Sequence, residues 1–336
     1  MTALPSAAEV RQAIQGCLLS ALPRPETASR PELAQFARML RDYPERGGKM
    51  LRGALLVYTG LAYGAALEQL LPVAAALELF QNWALIHDDI EDGSDERRGK
   101  PALHRIYGVP LALNAGDALH ALQWGLLVQA GVPQGVLLEF VRLVERTAQG
   151  QHLEIAWMEG QRLDLTEADY LEMVGLKAAY YTAVAPLRLG VLVAGGEPPQ
   201  AFEEAGMKLG TGFQIVDDVL NLKGDPAKYG KEIGGDLWEG KRTLVLLHFL
   251  RNAGPEERQR AERLLCLPRP QKPAAEVAWL HHRLISSGAL AYAERVAEGF
   301  LEEGLGRLRP LLQEAPRRAF GARVVELLEG LVRREA

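Results

Sequence analysis

Apolar residues in this chain recur at intervals of three and four almost throughout, the period of a helix with a buried face. Strand-like alternation bounded by hairpin turns is scarce. The pattern predicts an amphipathic helix near Ala7 to Leu22, stopped by Pro23 and Pro25, and a second from Pro31 to about Asp42. A glycine-bearing loop, Pro44 to Gly53, leads into a third that reaches Gly60. Pro72 is expected to open a long helix whose stripe of Glu78, Gln81, Leu85, Asp88 and Asp92 recurs every three or four residues, with Gly93 placed to end it. Further helices are expected over Leu111 to Gln129, over Pro133 to Met158, and from a capping pair Thr166 and Asp169. Pro186 should kink or break that last one. Another runs from Gln200 to about Lys223, where Gly206, Gly210 and Gly212 would admit a close neighbour. The rest of the chain is again helical in period, and no linker or short repeat divides it. One all-α domain, a helical bundle over residues 1–336, is the economical reading.

Composition narrows the function. The chain has 336 residues, 48% hydrophobic and 24% charged, enough to bury a large core. A net charge of -5 argues against a nucleic-acid binder, which would carry a basic face. Cys17 and Cys266 have no partner pattern and read as small hydrophobes in a reducing compartment. No basic-then-apolar signal opens the chain, and Glu78, Gln81, Asp88 or Arg188 interrupt its most apolar segments. No transmembrane segment is expected, and the cytoplasm is the expected compartment.

The candidate chemistry lies at the end of the long helix. Asp88, Asp89, Glu91 and Asp92 crowd four acids into five positions, and Arg97 and Arg98 follow. On a helix Asp88 and Asp92 are i,i+4 neighbours and Asp89 and Asp92 i,i+3 neighbours, so like charges gather near one face. Such a cluster must lie in water or hold a cation, and all-oxygen ligands suit Mg²⁺, which commonly bridges carboxylates to phosphates. The Gln200–Lys223 segment finishes the same way, with Asp217, Asp218 and Asn221 ahead of a glycine and a basic loop. Taken singly, either pair is a solvated helix end. Their recurrence, each followed by Lys or Arg, points instead to a diphosphate held by several Mg²⁺ ions.

With these motifs in view, the chain resembles the trans-type isoprenyl diphosphate synthases, the family of farnesyl and geranylgeranyl diphosphate synthases. The likeness runs in order over roughly residues 45 to 250. Asp88-Asp89-Ile90-Glu91-Asp92 with Arg97-Arg98-Gly99 resembles the family's first Asp-rich motif, and Asp217-Asp218-Val219-Leu220-Asn221 its second, with Asn221 in place of a third Asp. The resemblance implies the isoprenoid synthase fold, three Mg²⁺ ions and a homodimer. It implies metal ligation by Asp88, Asp89, Asp92, Asp217 and Asp218. The isopentenyl diphosphate site would be Gly47-Gly48-Lys49, Arg52, Gln81 and Arg98, with Gln81 where many members carry His. Arg97, Lys177, Gln214, Lys231 and Lys241 would meet the allylic diphosphate, with Asp236 close by.

The implied reaction is ionisation of the allylic diphosphate followed by attack of the isopentenyl double bond. Asp88, Asp92, Lys177, Asp217 and Lys231 would be its catalytic residues, and the released diphosphate the base. Ala178 replaces the Thr of the family's Lys-Thr pair, and Tyr181 is the candidate to supply the lost hydroxyl. Trp83 and Ala84, five and four positions before Asp88, are the implied chain-length residues, with C20 the expected product and C15 the second choice. A terpene cyclase would leave Lys49, Arg52 and Arg98 unexplained, and a regulatory subunit would be expected to lack an Asp cluster. Leu111 to Val144 is the candidate dimer face.

Overall fold

The computed structural model describes residues 5–224 and 232–332. The helices are α1 (Ala7–Ala21), α2 (Pro31–Glu45), α3 (Leu51–Tyr63), α4 (Leu67–Glu91), α5 (Leu103–Tyr107), α6 (Val109–Gln129), α7 (Gln134–Glu159) and α8 (Glu167–Val174). After α8 the chain continues as a π-helical stretch, Gly175–Val184, into α9 (Ala185–Val193). Then come α10 (Gln200–Lys223), the short α11 (Gly235–Glu239), α12 (Leu244–Asn252), α13 (Pro255–Leu265), α14 (Ala274–Ser286), α15 (Ala289–Gln313) and α16 (Arg318–Val332). The all-helical expectation holds.

Burial explains why α4 is central. From Val73 to Asn82 every residue is buried, because α1, α3 and α6 cover the helix on different sides. α10 packs between α15 and the π-helical stretch, completing the wall opposite α4. No helix among the described residues is long and apolar enough to cross a membrane.

Two proline expectations need correction. The α4 helix begins at Leu67, so Pro72 lies inside it rather than at its start; Gln69 caps the Ala66 N–H and gives the helix an earlier beginning. Pro186 does not break its helix. It stands in the first turn of α9, directly after the π-helical stretch, and wider i→i+5 turns absorb the missing donor without ending the rod.

That π-helical stretch is pressed from both sides. A Cβ at Gly150 of α7 would lie 2.2 Å from the backbone nitrogen of Lys177, and one at Gly210 of α10 would lie 2.4 Å from the carbonyl oxygen of Ala179. Glycine is required at both crossings. The close approach expected of the α10 glycines is met, and it fixes where Lys177 sits.

Candidate active site

The end of α4 sorts its acids by burial. Asp88 is half-buried, whereas Asp89 has no exposed surface. A lone buried carboxylate would be costly, and here it is compensated. The Tyr43 hydroxyl donates to Asp89 Oδ2 at 2.5 Å. The Arg97 guanidinium grips Asp89 in a bidentate fork, its Nε at 2.9 and 3.1 Å from the two oxygens. Burial alone would lower the pKa of Arg97; the Asp89 charge overcomes this and holds it above the ordinary arginine value. Arg97 is delivered by a two-residue hairpin in which Glu96–Arg97 pairs with Lys100–Pro101. Its turn residues Arg98 and Gly99 have φ of +53° and +71°, as a tight hairpin turn demands. The one small ladder in the described residues thus serves the site.

The second cluster repeats half of this design. Asp217 is exposed, and Asp218 is buried beneath the Tyr170 hydroxyl, which donates at 2.7 Å. Here the other partner is the Gln214 amide at 2.9 Å rather than a cation. Burial, reinforced by the Asp236 charge, pushes Asp218 up to about 8. Asn221, in place of a third acid, accepts from the Asp236 N–H at 3.2 Å and ties the following loop to α10.

The five acids of the expected metal set differ in their surroundings. Asp88 is half-buried and Asp217 exposed, Asp92 is buried with Oδ2 on Lys241, and the oxygens of Asp89 and Asp218 accept from tyrosine, arginine and amide donors. Gln214, expected at the diphosphate, is bonded to Asp218 and lines the cavity beside it.

Two lysines span the gap. Lys177 reaches Asp88 Oδ1 at 3.3 Å and pairs closely with Glu154. Lys241 reaches Asp92 Oδ2 at 2.6 Å and Glu239 at 2.9 Å. Burial would lower both ammonium pKa values, but the carboxylates raise them, so both lysines stay charged. Burial raises Asp92 to about 7, against the pull of Lys241. Its Oδ1 is buried with no hydrogen-bond partner.

Against the second cluster lies a cavity of about 60 Å³, whose lining includes Glu154, Lys177, Gln214, Asp217, Asp218 and Lys241; the first cluster meets it through the two lysines. Among the described residues no three carboxylate, imidazole or thiolate groups already converge on one point. All-oxygen carboxylates with an orphaned acceptor fit a hard cation that keeps waters and takes its remaining ligands from phosphate.

A separate basic group lies at the start of α3. Arg98 Nη1 donates to the Tyr43 carbonyl at 2.6 Å, and its guanidinium lies so near Gly48 that a Cβ there would stand 3.3 Å from Nη2. Arg52 donates to Thr182 Oγ1 at 3.0 Å and to the Tyr181 hydroxyl at 3.2 Å, its guanidinium 4.6 Å from the Tyr181 ring centre. Buried Glu78 faces both arginines, and burial raises its pKa despite them. The Gln81 carboxamide oxygen and the Arg52 Nε are buried without partners. Lys49 is exposed beside them. Tyr181, the candidate to supply the hydroxyl missing at Ala178, accepts from Arg52 and keeps its own O–H to donate.

Trp83 neither lines the 60 Å³ cavity nor stands in water. Its Nε1 donates to Gln123 Oε1 at 2.9 Å, and Phe80, His87 and His120 surround its ring. Ala84 is half-buried one turn before Asp88.

Lys231 lies outside the described residues. Four working residues escaped the sequence reading. Glu154 falls one turn after Gly150, the glycine that admits Lys177, and that spacing was its signal. Tyr43 and Tyr170 come from positions 46 and 48 residues away from the acids they serve, and Glu239 reaches the site through Lys241. No local pattern announces these three.

An all-helical chamber with two acidic clusters and cationic partners defines a diphosphate-handling enzyme. The polyprenyl synthetase family model matches residues 34–281, and the chain belongs to that family. It is a prenyltransferase that extends isoprenoid chains. A short chain isoprenyl diphosphate synthase of Methanothermobacter thermautotrophicus is 34% identical over 81% of this chain and 83% of its own. A geranylgeranyl diphosphate synthase of Methanosarcina mazei is 32% identical over 91% of each. Among solved structures, a geranylgeranyl pyrophosphate synthase of Corynebacterium glutamicum, complexed with isoprenyl diphosphate and magnesium, is similar with TM-score 0.88 and 26% identity. It is matched over 98% of this chain and 100% of its own. A polyprenyl synthase of Caulobacter crescentus, complexed with calcium and isoprenyl diphosphate, has TM-score 0.85 and 28% identity over 98% and 96%. Divalent-metal use is thus a property of the family.

Proposed function

We propose that this protein condenses isopentenyl diphosphate with C5, C10 and C15 allylic diphosphates to give geranylgeranyl diphosphate, C20, working as one domain over residues 1–336. The observation that carries this reading is the pair of lysines, Lys177 and Lys241, each bound to a carboxylate of the first cluster and each lining the cavity that Asp217 also lines.

In this reading Asp88, Asp92 and Asp217 would hold three Mg²⁺ ions, which would supply charge neutralisation for the diphosphate. Arg97, gripped by Asp89, also reaches Asp88 Oδ2 at 3.5 Å and so ties the two acids together. As the allylic C–O bond breaks, its electron pair leaves with the diphosphate. Lys177, Lys241 and the Arg97 end of the first cluster place positive charge where that negative charge grows. The lysines exchange carboxylate partners for phosphate oxygens, so little reorganisation is needed. Lys231 joins them by resemblance alone. Lys49, Arg52, Gln81 and Arg98 hold the isopentenyl diphosphate so that its double bond faces the allylic carbon. The new C–C bond forms from that double bond, and the proton lost afterwards goes to the released diphosphate.

The C20 product is supported by the names of relatives and by Trp83, whose indole is locked across α4 and α6 by Gln123. Exposed Val109, Leu113 and Val128 on α6, with Leu138 and Val141 on α7, support a homodimer through that face. Cys17 and Cys266 as free thiols fit the cytoplasm.

The test is incubation of purified protein with Mg²⁺, labelled isopentenyl diphosphate and each primer, with products resolved by length. Accumulation of C20 supports the reading. Chains ending at C15 would move the pocket floor nearer Asp88. Absence of incorporation with every primer would overturn the assigned reaction.

A further inference from the structure

Lys241 stands on a weak support. It follows α11, a helix of five residues bracketed by Gly234 and Gly240, far too short to hold itself. Its rigidity must come from outside. Three cations beyond the second acidic cluster provide it. Arg242 Nε donates to the Arg162 carbonyl at 2.9 Å, and its Nη1 bonds to the Gly240 carbonyl. Lys272 Nζ donates to the Leu237 carbonyl at 2.8 Å, near the end of α11.

The third cation, Arg269, does something different, because its partners lie on both sides of the site mouth. Its Nη2 donates to Glu232 at 2.6 Å and to Asp95 at 3.1 Å, and its Nη1 lies 3.7 Å from Glu239 Oε1. Asp95 belongs to the hairpin that follows the first acidic cluster, whereas Glu232 and Glu239 belong to the segment after the second. Glu239 divides its two oxygens. Oε1 faces Arg269 and accepts from Ser94 Oγ at 3.0 Å, and Oε2 meets Lys241 at 2.9 Å. A chain of contacts therefore runs from Arg269 through Glu239 to Lys241 and on to Asp92.

We propose that Arg269 is a positioning residue for the reaction: it bridges the two sides of the site mouth and, through Glu239, sets Lys241 against the first acidic cluster for the allylic diphosphate. This rests on reading Lys241 as a ligand of that diphosphate. Two of its three carboxylate partners are more than two-fifths exposed, so the bridge contributes little to global stability. What it supplies is the place of one ammonium group. Arginine suits the task because its planar fork can engage several carboxylates at once.

The experiment compares Arg269→Gln, Arg269→Lys, Glu239→Gln and Lys241→Gln in the full chain. It measures KM for the allylic and isopentenyl substrates separately, kcat, the melting temperature, and calorimetric binding of inorganic diphosphate with Mg²⁺. Arg269→Gln is expected to raise the allylic KM and weaken diphosphate binding about 5- to 10-fold, leaving the isopentenyl KM within about twofold. Arg269→Lys should recover part of the loss, and adding Glu239→Gln to Arg269→Gln should add little, since both break one chain of contacts. Equal rises in both KM values with a lowered melting temperature would make Arg269 merely structural and overturn the proposal, as would wild-type kinetics in Arg269→Gln when Lys241→Gln is impaired. If Lys241→Gln itself leaves the allylic KM unchanged, the assignment of Lys241 fails first.

Discussion

The two acidic clusters share a plan and differ in how its cost is met. Each sets one Asp toward the site and buries the next beneath a tyrosine hydroxyl, Tyr43 over Asp89 and Tyr170 over Asp218. Behind the first stands a buried guanidinium, Arg97; behind the second stands only the neutral Gln214 amide. A buried carboxylate with a cation can keep its charge, whereas one with neutral donors is pushed toward protonation, as Asp218 is. The buried acid of the first cluster is matched by a cation; that of the second has neutral donors and the further negative charge of Asp236 beside it.

This contrast can be broken at several points. Removing the guanidinium alone, by Arg97→Gln, should destabilise the fold by about 3–5 kcal/mol, because it strands a fully buried carboxylate. Chemical denaturation checks this, and Arg97→Gln paired with Asp89→Asn should recover much of the loss. The corresponding change behind the second cluster, Gln214→Leu, should cost only about 1–3 kcal/mol, the scale of one lost buried hydrogen bond.

The site-facing acids should separate from the buried ones in activity. Asp88→Asn and Asp217→Asn are expected to lower kcat by about 10²–10³-fold with little change in melting temperature, since each weakens charge stabilisation of the departing diphosphate. Chelation of divalent metal should abolish turnover in the wild type, and Mg²⁺ should restore it. A wild-type rate in either variant would remove that Asp from the site.

The tyrosines give a smaller and sharper comparison. Tyr43→Phe and Tyr170→Phe should each cost about 1–2 kcal/mol, and only the second should alter the pH dependence of stability. The sign follows from Asp218. Its folded pKa of about 8 lies above the ordinary 3.8, so its contribution is fully present below pH 3.8 and is lost as pH rises through about 8. Metal-free wild type should therefore lose stability across that window. Asp218→Asn should remove the Asp218 share of that loss and leave the share of Asp92, so the variant should gain on wild type as pH rises toward 9 and match it near pH 4. Thermal melts at the two pH values decide this, and a flat difference would refute the contrast.

Smallest of all, Trp83→Phe keeps most of the ring but loses the hydrogen bond to Gln123, and should shift products only partly beyond C20. Trp83→Ala should shift them further. An unchanged product ladder in both would return Trp83 to ordinary core.

Much of this was legible in the sequence. Helical period gave the elements and their order, and the repeated Asp-Asp ends with basic followers gave the site-facing acids and the diphosphate. Local pattern fails where a residue works through a distant partner. Asp88 and Asp89 look alike in the chain, yet one helical step of about 100° turns the first toward Lys177 and the second into the core. Pro186 reads as a breaker because the sequence does not reveal a π-helical turn beside it, and the Arg52 contact to Tyr181 is hidden by a separation of 129 residues.

The sequence by itself determined an all-helical chain with two acidic helix ends and basic loops behind them, because period and charge clustering are local properties. Only the tertiary structure decided which carboxylates meet Lys177 and Lys241, which are tied to Tyr43, Arg97 and Tyr170, and which cations brace Lys241. Those assignments depend on burial, and burial is set by whatever helix happens to pack alongside.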